Sequence, residues 1–130
     1  MTETIKDSVV LITGAGGAIA QAADISAHRT RREKNYATGR NPSGLAASDL
    51  IVPIQMDVTS DDDVAKAAGM ATDVTLLINN AGINHNTAFM LAPDMAMARE
   101  EIEDNYLAPL RVTRAFAPAL IAIKAPCSIC

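Results

Sequence analysis

The sequence predicts an α/β fold: a parallel sheet with helices on both faces and the strand order 3-2-1-4. Three observations predict it. Short continuous apolar runs, as expected of strands covered on both sides, alternate with stretches whose apolar residues recur at helical spacing. That alternation implies parallel strands joined by right-handed crossovers. Pro53 lies inside the third run, and because proline cannot donate to a ladder it puts that strand at an edge.

Val9 to Ile12 is the first strand, four apolar residues ending in a glycine-rich turn. Ile19, Ala22, Ala23, Ser26 and Ala27 then fall on one helical face of small residues, able to lie close to a sheet, and this helix frays in the basic run Arg29 to Lys34. Asn35 to Gly39 is a second, polar strand, closed by the turn Asn41-Pro42-Ser43-Gly44. Leu50 to Met56 is the third strand. Ser60 caps the helix after it, with Asp63 at the capping-box position and acids in the first turn facing the positive end of the dipole. Val74 to Ile78 is the fourth strand. From Asp94 to Ile123 the chain reads as mostly helical, with Ile102, Tyr106, Leu110 and Phe116 as apolar anchors and with Pro109 and Pro118 expected to kink or restart it.

The 130 residues suffice for a single domain, spanning residues 1–130. With 49% apolar but only 3% aromatic residues, the core must be aliphatic, and stacking platforms for single-stranded nucleic acid are not expected. The net charge of −4 argues against nucleic acid or an anionic membrane as partner. The opening MTETIKDS has no apolar signal core and no run is long enough to span a bilayer, so a soluble cytoplasmic protein is expected. The two cysteines, Cys127 and Cys130, are too few for a disulfide framework or a structural zinc, and no metal site is expected.

The order 3-2-1-4 sets the turn after strand 1 beside the turn after strand 4, across the switch point where open α/β sheets bind ligands. The first turn, Thr13-Gly14-Ala15-Gly16-Gly17-Ala18-Ile19-Ala20, follows a strand and opens a helix. Glycines there permit a tight turn and leave room for a pyrophosphate, to which the helix N-terminus offers free N–H groups. A plain strand–helix loop using glycine only for positive φ is the other reading of this motif alone. The second turn, Asn79-Asn80-Ala81-Gly82, delivers two amides at the end of a buried strand.

Together these segments resemble the nucleotide-binding half of the short-chain dehydrogenase/reductase family, and the resemblance runs from Val9 to Ile129. It implies a Rossmann-like, dinucleotide-binding domain. Thr13, Gly14, Gly16, Gly17 and Ile19 would then lie on the phosphate side of NADP or NAD. The family pattern is Thr-Gly-x-x-x-Gly-x-Gly, and here Ala18 and Ala20 replace the second and third glycines. On the resemblance, Ala20 would alter a packing position, whereas the Ala18 methyl would crowd the phosphates. Asn79, Asn80, Ala81 and Gly82 match the strand-4 signature that braces the sheet and lines the adenosine side. Asp57 would accept from the adenine amino group, and the Val58 backbone would pair with the ring. Arg40, just after strand 2, is either a partner for the 2′-phosphate of NADP or an exposed loop arginine. Asn105 aligns with the helix asparagine that, through a bound water, orients the family's catalytic lysine.

The family's catalytic serine and Tyr-x-x-x-Lys are not in this sequence: Tyr36 is followed four residues on by Arg40, and Tyr106 by Leu110. His85, after the strand-4 turn, is either a surface-loop histidine or, with Tyr106, a stand-in acid at the nicotinamide end. The resemblance thus implies an NAD(P)-binding oxidoreductase-type protein in shortened form, reducing a small carbonyl compound. The alternatives are a non-catalytic nucleotide-binding module or truncated product, and a small hydrolase using the same cleft, which no Gly-x-Ser-x-Gly elbow supports. A small-molecule substrate is the expected partner. The family packs dimers through its long helix, and strand 4 is left as an exposed edge, so a homo-oligomer is expected.

Overall fold

A computed structural model of the chain describes residues 8–16, 34–41, 51–86, 89–91 and 93–122. Four parallel strands, β1 (Val9–Ile12), β2 (Lys34–Gly39), β3 (Ile51–Gln55) and β4 (Leu76–Ile78), form one sheet in the order β3-β2-β1-β4. This is the predicted Rossmann-like α/β arrangement. β1 is central, with Leu11 opposite Tyr36 of β2 and Leu77 of β4. Pro53 sits on the edge strand opposite Ala37, where its missing donor can face outward. The fourth strand is shorter than expected, because Val74 and Thr75 precede the ladder. Thr75 still joins it to β1, its Oγ1 accepting from Val9 N at 2.9 Å and its N–H donating to Val9 O at 2.9 Å.

β2 is a strand despite its polar sequence. Thr38 is fully buried, and its hydroxyl donates to Ile12 O at 3.0 Å, so burial leaves no unpaid hydroxyl. Tyr36 reaches Asp73 with its phenol at 2.7 Å. Burial is the leading cause that raises the pKa of Tyr36, and Lys34, 4.6 Å from the ring centroid, opposes the rise.

Helix α1 (Asp61–Met70) follows β3. Ser60 caps it as predicted, accepting from Asp63 N at 3.3 Å. The reciprocal half of a capping box is not made, because the Asp63 carboxylate instead accepts from Asp57 N at 3.0 Å. Val64 and Ala67 turn inward from this helix. After a 3-10 turn at Phe89–Leu91 come helix α2 (Ala96–Ile102), a π-helical turn at Glu103–Leu107, and helix α3 (Ala108–Ala122).

The core on one sheet face joins Leu11, Tyr36, Ile54 and Leu77 to α1 and α3. α3 contributes Ala108, Val112, Phe116 and Leu120, every fourth residue, each no more than 2% exposed. Of the predicted anchors only Phe116 belongs to that row. Ile102, Tyr106 and Leu110 are 54%, 65% and 56% exposed. The correction follows from helical geometry: Leu110 stands two residues, about 200°, from Ala108 and from Val112. The apolar residues of this stretch make two rows, and only one faces the sheet. Pro109 follows directly on the π turn, in a backbone that is helical without a break from Ala96, so the expected disturbance there takes the form of the π turn; α3 runs through Pro118 rather than restarting there. The other sheet face carries Val10, Ile12, Ala37 and Leu76. The helix expected over it, Ile19 to Ala27, lies outside the described residues, as do the turn after Asn41 and the Cys127–Cys130 segment.

Candidate functional site

The adjacency of β1 and β4 brings the two predicted turns together, and one side chain fastens them. The buried Thr13 hydroxyl accepts from the backbone N–H groups of both Asn80 and Ala81 at 3.0 Å. Thr13 N donates to Ile78 O at 3.0 Å, and the Asn80 amide donates to Gly14 O at 3.2 Å. Gly14 has φ +64°, the left-handed region that glycine enters without penalty. Ala15 N donates to Thr38 O at 2.9 Å, tying the same turn to β2. The glycine turn is thus held from both sides by neighbouring strands.

Above these strand ends lies a cleft of about 410 Å³. Gly14 and Gly16 form one wall, Ala81, Gly82 and Ile83 another, and Arg40, Met56, Val58 and Asp104 the end beyond β2 and β3. A Cβ built on Gly16 would meet nothing within 4 Å, so this wall leaves space for a ligand that a larger residue would fill. The volume falls within the usual range for small-molecule and cofactor sites.

The Arg40 end is charged. Arg40 Nη2 lies 3.0 Å from Asp104 Oδ1, and Arg40 Nε lies 3.7 Å from Asp57 Oδ1. Asp57 also accepts from the Thr59 hydroxyl at 2.7 Å and the Thr59 N–H at 2.9 Å. The Thr59 hydroxyl is the main reason the Asp57 carboxyl is held below its ordinary range, with Arg40 adding to it. Val58 is buried at the cleft wall, and its carbonyl accepts from Arg111 Nη1 at 2.9 Å. The same guanidinium holds Asp61 of α1 at 2.5 Å and Glu103 of the π turn at 2.7 Å. Chiefly through Glu103, these partners raise the pKa of Arg111.

The π turn carries Asn105. Its side chain clasps the loop after β4, accepting from Ile83 N at 2.8 Å and donating to Ile83 O at 2.7 Å. A Cβ on Gly82 would come within 2.9 Å of Asn105 Oδ1, so that glycine gives the asparagine its room. π turns inside α-helices often mark functional positions.

The other expected residues are placed differently. Asn79 donates to Thr113 Oγ1 of α3 at 3.1 Å and braces β4 instead of facing the cleft. His85 is not among the residues of the cleft wall: its Nε2 lies 2.8 Å from Glu100 Oε2, and its N–H donates to Glu101 at 2.8 Å. Tyr106 is 65% exposed and also outside the wall. Gly17 and Ile19 lie outside the described residues.

Asp104 and Arg111 escaped the sequence motifs. Asp104 is one of four acids between Glu100 and Asp104, and nothing in composition separates it from its solvated neighbours. Two of Arg111's partners, Asp61 and Val58, are 50 and 53 residues away, beyond any local pattern. Among the described residues, no group of three or more His, Cys, Asp or Glu is placed to hold a metal ion, and no helix is long and apolar enough to cross a membrane.

Comparison with known proteins points the same way. The family model for short chain dehydrogenase matches residues 8–127. A short-chain dehydrogenase/reductase of Pestalotiopsis microspora is 32% identical over 117 residues, which are 88% of this chain and 43% of that protein. A short chain dehydrogenase from Burkholderia cenocepacia, solved in complex with NADP, superposes with a TM-score of 0.88 at 35% identity, covering 95% of this chain and 52% of its own. An NADPH-bound carbonyl reductase from chicken fatty liver superposes with a TM-score of 0.76 at 26% identity, covering 89% and 49%. The chain spans about half the length of these relatives.

Proposed function

The chain belongs to the short-chain dehydrogenase family, and from that premise we propose that it is the dinucleotide-binding part of an oxidoreductase using NADP, or NAD, to reduce a small carbonyl compound. The observation that carries this reading is the Thr13 hydroxyl, which locks the glycine turn against Asn80 and Ala81 and so fixes the cradle. Gly14, Gly16 and, outside the described residues, Gly17 and Ile19 hold the phosphates. Ala81 and Gly82 line the adenosine side, while Asn79 and Asn80 keep β4 and the first turn in place. Val58 and Asp57 take the adenine, and Arg40, at the cleft end, takes the 2′-phosphate of NADP. Two superposable proteins, one solved with NADP and one with NADPH, support the phosphorylated cofactor.

A nicotinamide dinucleotide bound here would supply the hydride. This chain's residues bind, orient and exclude water around it. Asn105 holds the Ile83 loop that forms the cleft rim. The stand-in acids of this reading, His85 and Tyr106, stand outside the cleft wall, on the loop and the π turn that flank it, and the reading requires one of them to reach the substrate. The reading also carries a small-molecule substrate, a cytoplasmic setting and a homo-oligomer packed on the exposed row Ile102, Tyr106 and Leu110.

One observation favours a second reading, a non-catalytic nucleotide-binding module: among the described residues, the cleft wall holds neither a tyrosine nor a histidine. Fluorescence titration with NADPH and NADH, followed by a panel of aldehydes and ketones, decides between them. Binding with turnover that His85→Ala or Tyr106→Phe abolishes supports the reductase. Binding without turnover supports the module, and no binding of either nucleotide removes both.

A further inference from the structure

We infer that Asp104 weakens the cleft's grip on 2′-phosphorylated dinucleotides by competing with the phosphate for Arg40; this rests on the dinucleotide reading above. Arg40 is well exposed, its side chain 61% accessible, at the end of the cleft. Asp104 is not: its side chain is only 10% accessible, on the π turn and in the same wall. The two are joined at 3.0 Å, and Asp57 adds a second carboxylate 3.7 Å from Arg40 Nε. One guanidinium therefore faces two carboxylates, and the cluster carries a formal charge of −1.

A guanidinium has donors enough to hold a carboxylate on one edge and a phosphate on another. Charge opposes that sharing. A phosphate monoester carries nearly two negative charges near neutral pH, and here it would arrive beside two carboxylates. Swinging Arg40 wholly onto the phosphate breaks its ion pair with a carboxylate nine-tenths buried, which is the costly way to separate such a pair. A 2′-hydroxyl brings no charge and asks nothing of Arg40. The burden of Asp104 thus falls on NADP(H) and spares NAD(H), so Asp104 is a specificity-determining residue acting from the helix side of the cleft.

Asp104→Asn keeps the shape and an oxygen acceptor for Arg40 while removing the charge. Binding of NADPH and NADH is titrated by fluorescence for the full chain and the variant, at low and high salt. The expected result is NADPH binding about fivefold tighter in the variant, the scale of a partly exposed ion pair, with NADH changed less than about twofold on the same scale. The gain should shrink as salt screens the charge. An equal shift for both nucleotides, or weaker NADPH binding, overturns the inference; the latter would mean that Asp104 aligns Arg40 for the phosphate. Asp104→Ser carries the same expectation should the amide variant not fold. Failure of every protein, wild type included, to bind either nucleotide overturns the dinucleotide reading and this inference with it, whereas an equal shift leaves that reading standing.

Discussion

Gly14 and Ala81 meet backbone to backbone: a Cβ on Gly14 would lie 2.8 Å from Ala81 Cα, and Gly14 φ is +64°. Two costs therefore fall on one substitution. Gly14→Ala should destabilise the fold by roughly 2 kcal/mol or more, from the left-handed backbone and the forced parting of the turns. Gly16→Ala is the matched control. Its new methyl meets nothing within 4 Å, so stability should stay within about 0.5 kcal/mol while the methyl intrudes on the cleft and weakens NADPH binding. Urea unfolding and NADPH titration of both variants check the pair.

Arg111 joins the start of α1, the cleft wall at Val58 and the π turn that carries Asn105. Its side chain is only 23% accessible. Arg111→Leu removes the shared partner of a buried carbonyl and two carboxylates, and should cost about 1–3 kcal/mol. Arg111→Lys keeps the charge but not the planar fork, so it should recover only a minor part. Thermal denaturation of the three proteins tests this, and a lysine variant as stable as wild type would contradict it.

The two strand ends that build the cradle were legible because their chemistry is local. A four-residue apolar run into glycines, and another into paired amides, announce buried strands and polar turns wherever they stand. Pro53 announced an edge for the same reason. The π turn was not legible: Glu103-Asp104-Asn105-Tyr106-Leu107 has the composition of ordinary helix, and the extra residue in its circuit leaves no mark in the sequence. The two apolar rows of the long helical stretch were merged for a related reason, since an apolar side chain reads alike whether it meets the sheet or solvent. His85 shows the limit most plainly. Its place after the strand-4 turn suggested the cleft, but Glu100 on α2 draws its ring aside, and only the fold brings Glu100 near.

Asp57 ties the cleft to pH. Its carboxyl is held below the ordinary range first by the Thr59 hydroxyl, then by the Thr59 N–H and by Arg40. A carboxyl with a lowered native pKa stabilises the fold above its unfolded value, about 3.9, and that contribution is lost as pH falls through the native pKa. Thr59→Val removes the largest cause and should raise the Asp57 pKa towards the ordinary value. The variant should be less stable than wild type at neutral pH, and the difference should close as pH drops below about 4. Because the Asp57 side chain is 36% accessible, the neutral-pH difference should be no more than about 1 kcal/mol. NMR titration of the Asp57 carboxyl carbon, with denaturation across the same pH range, reads both effects.

The row Ile102, Tyr106 and Leu110 has a physical motive for finding a partner. Each side chain is more than half exposed, and together they run along α2, the π turn and α3 on the side away from the core row Ala108, Val112, Phe116 and Leu120. Contiguous apolar surface rimmed by polar residues is costly to leave in water and commonly marks an interface. A second copy of the same helix would bury it symmetrically. Leu110→Lys should then shift the protein towards monomer, read as a smaller mass by light scattering over a range of concentrations. Val112→Ala, from the opposite and buried row, should lower stability by about 1–3 kcal/mol without changing the mass. Were the two variants to alter assembly alike, the association would depend on overall fold integrity and not on this face.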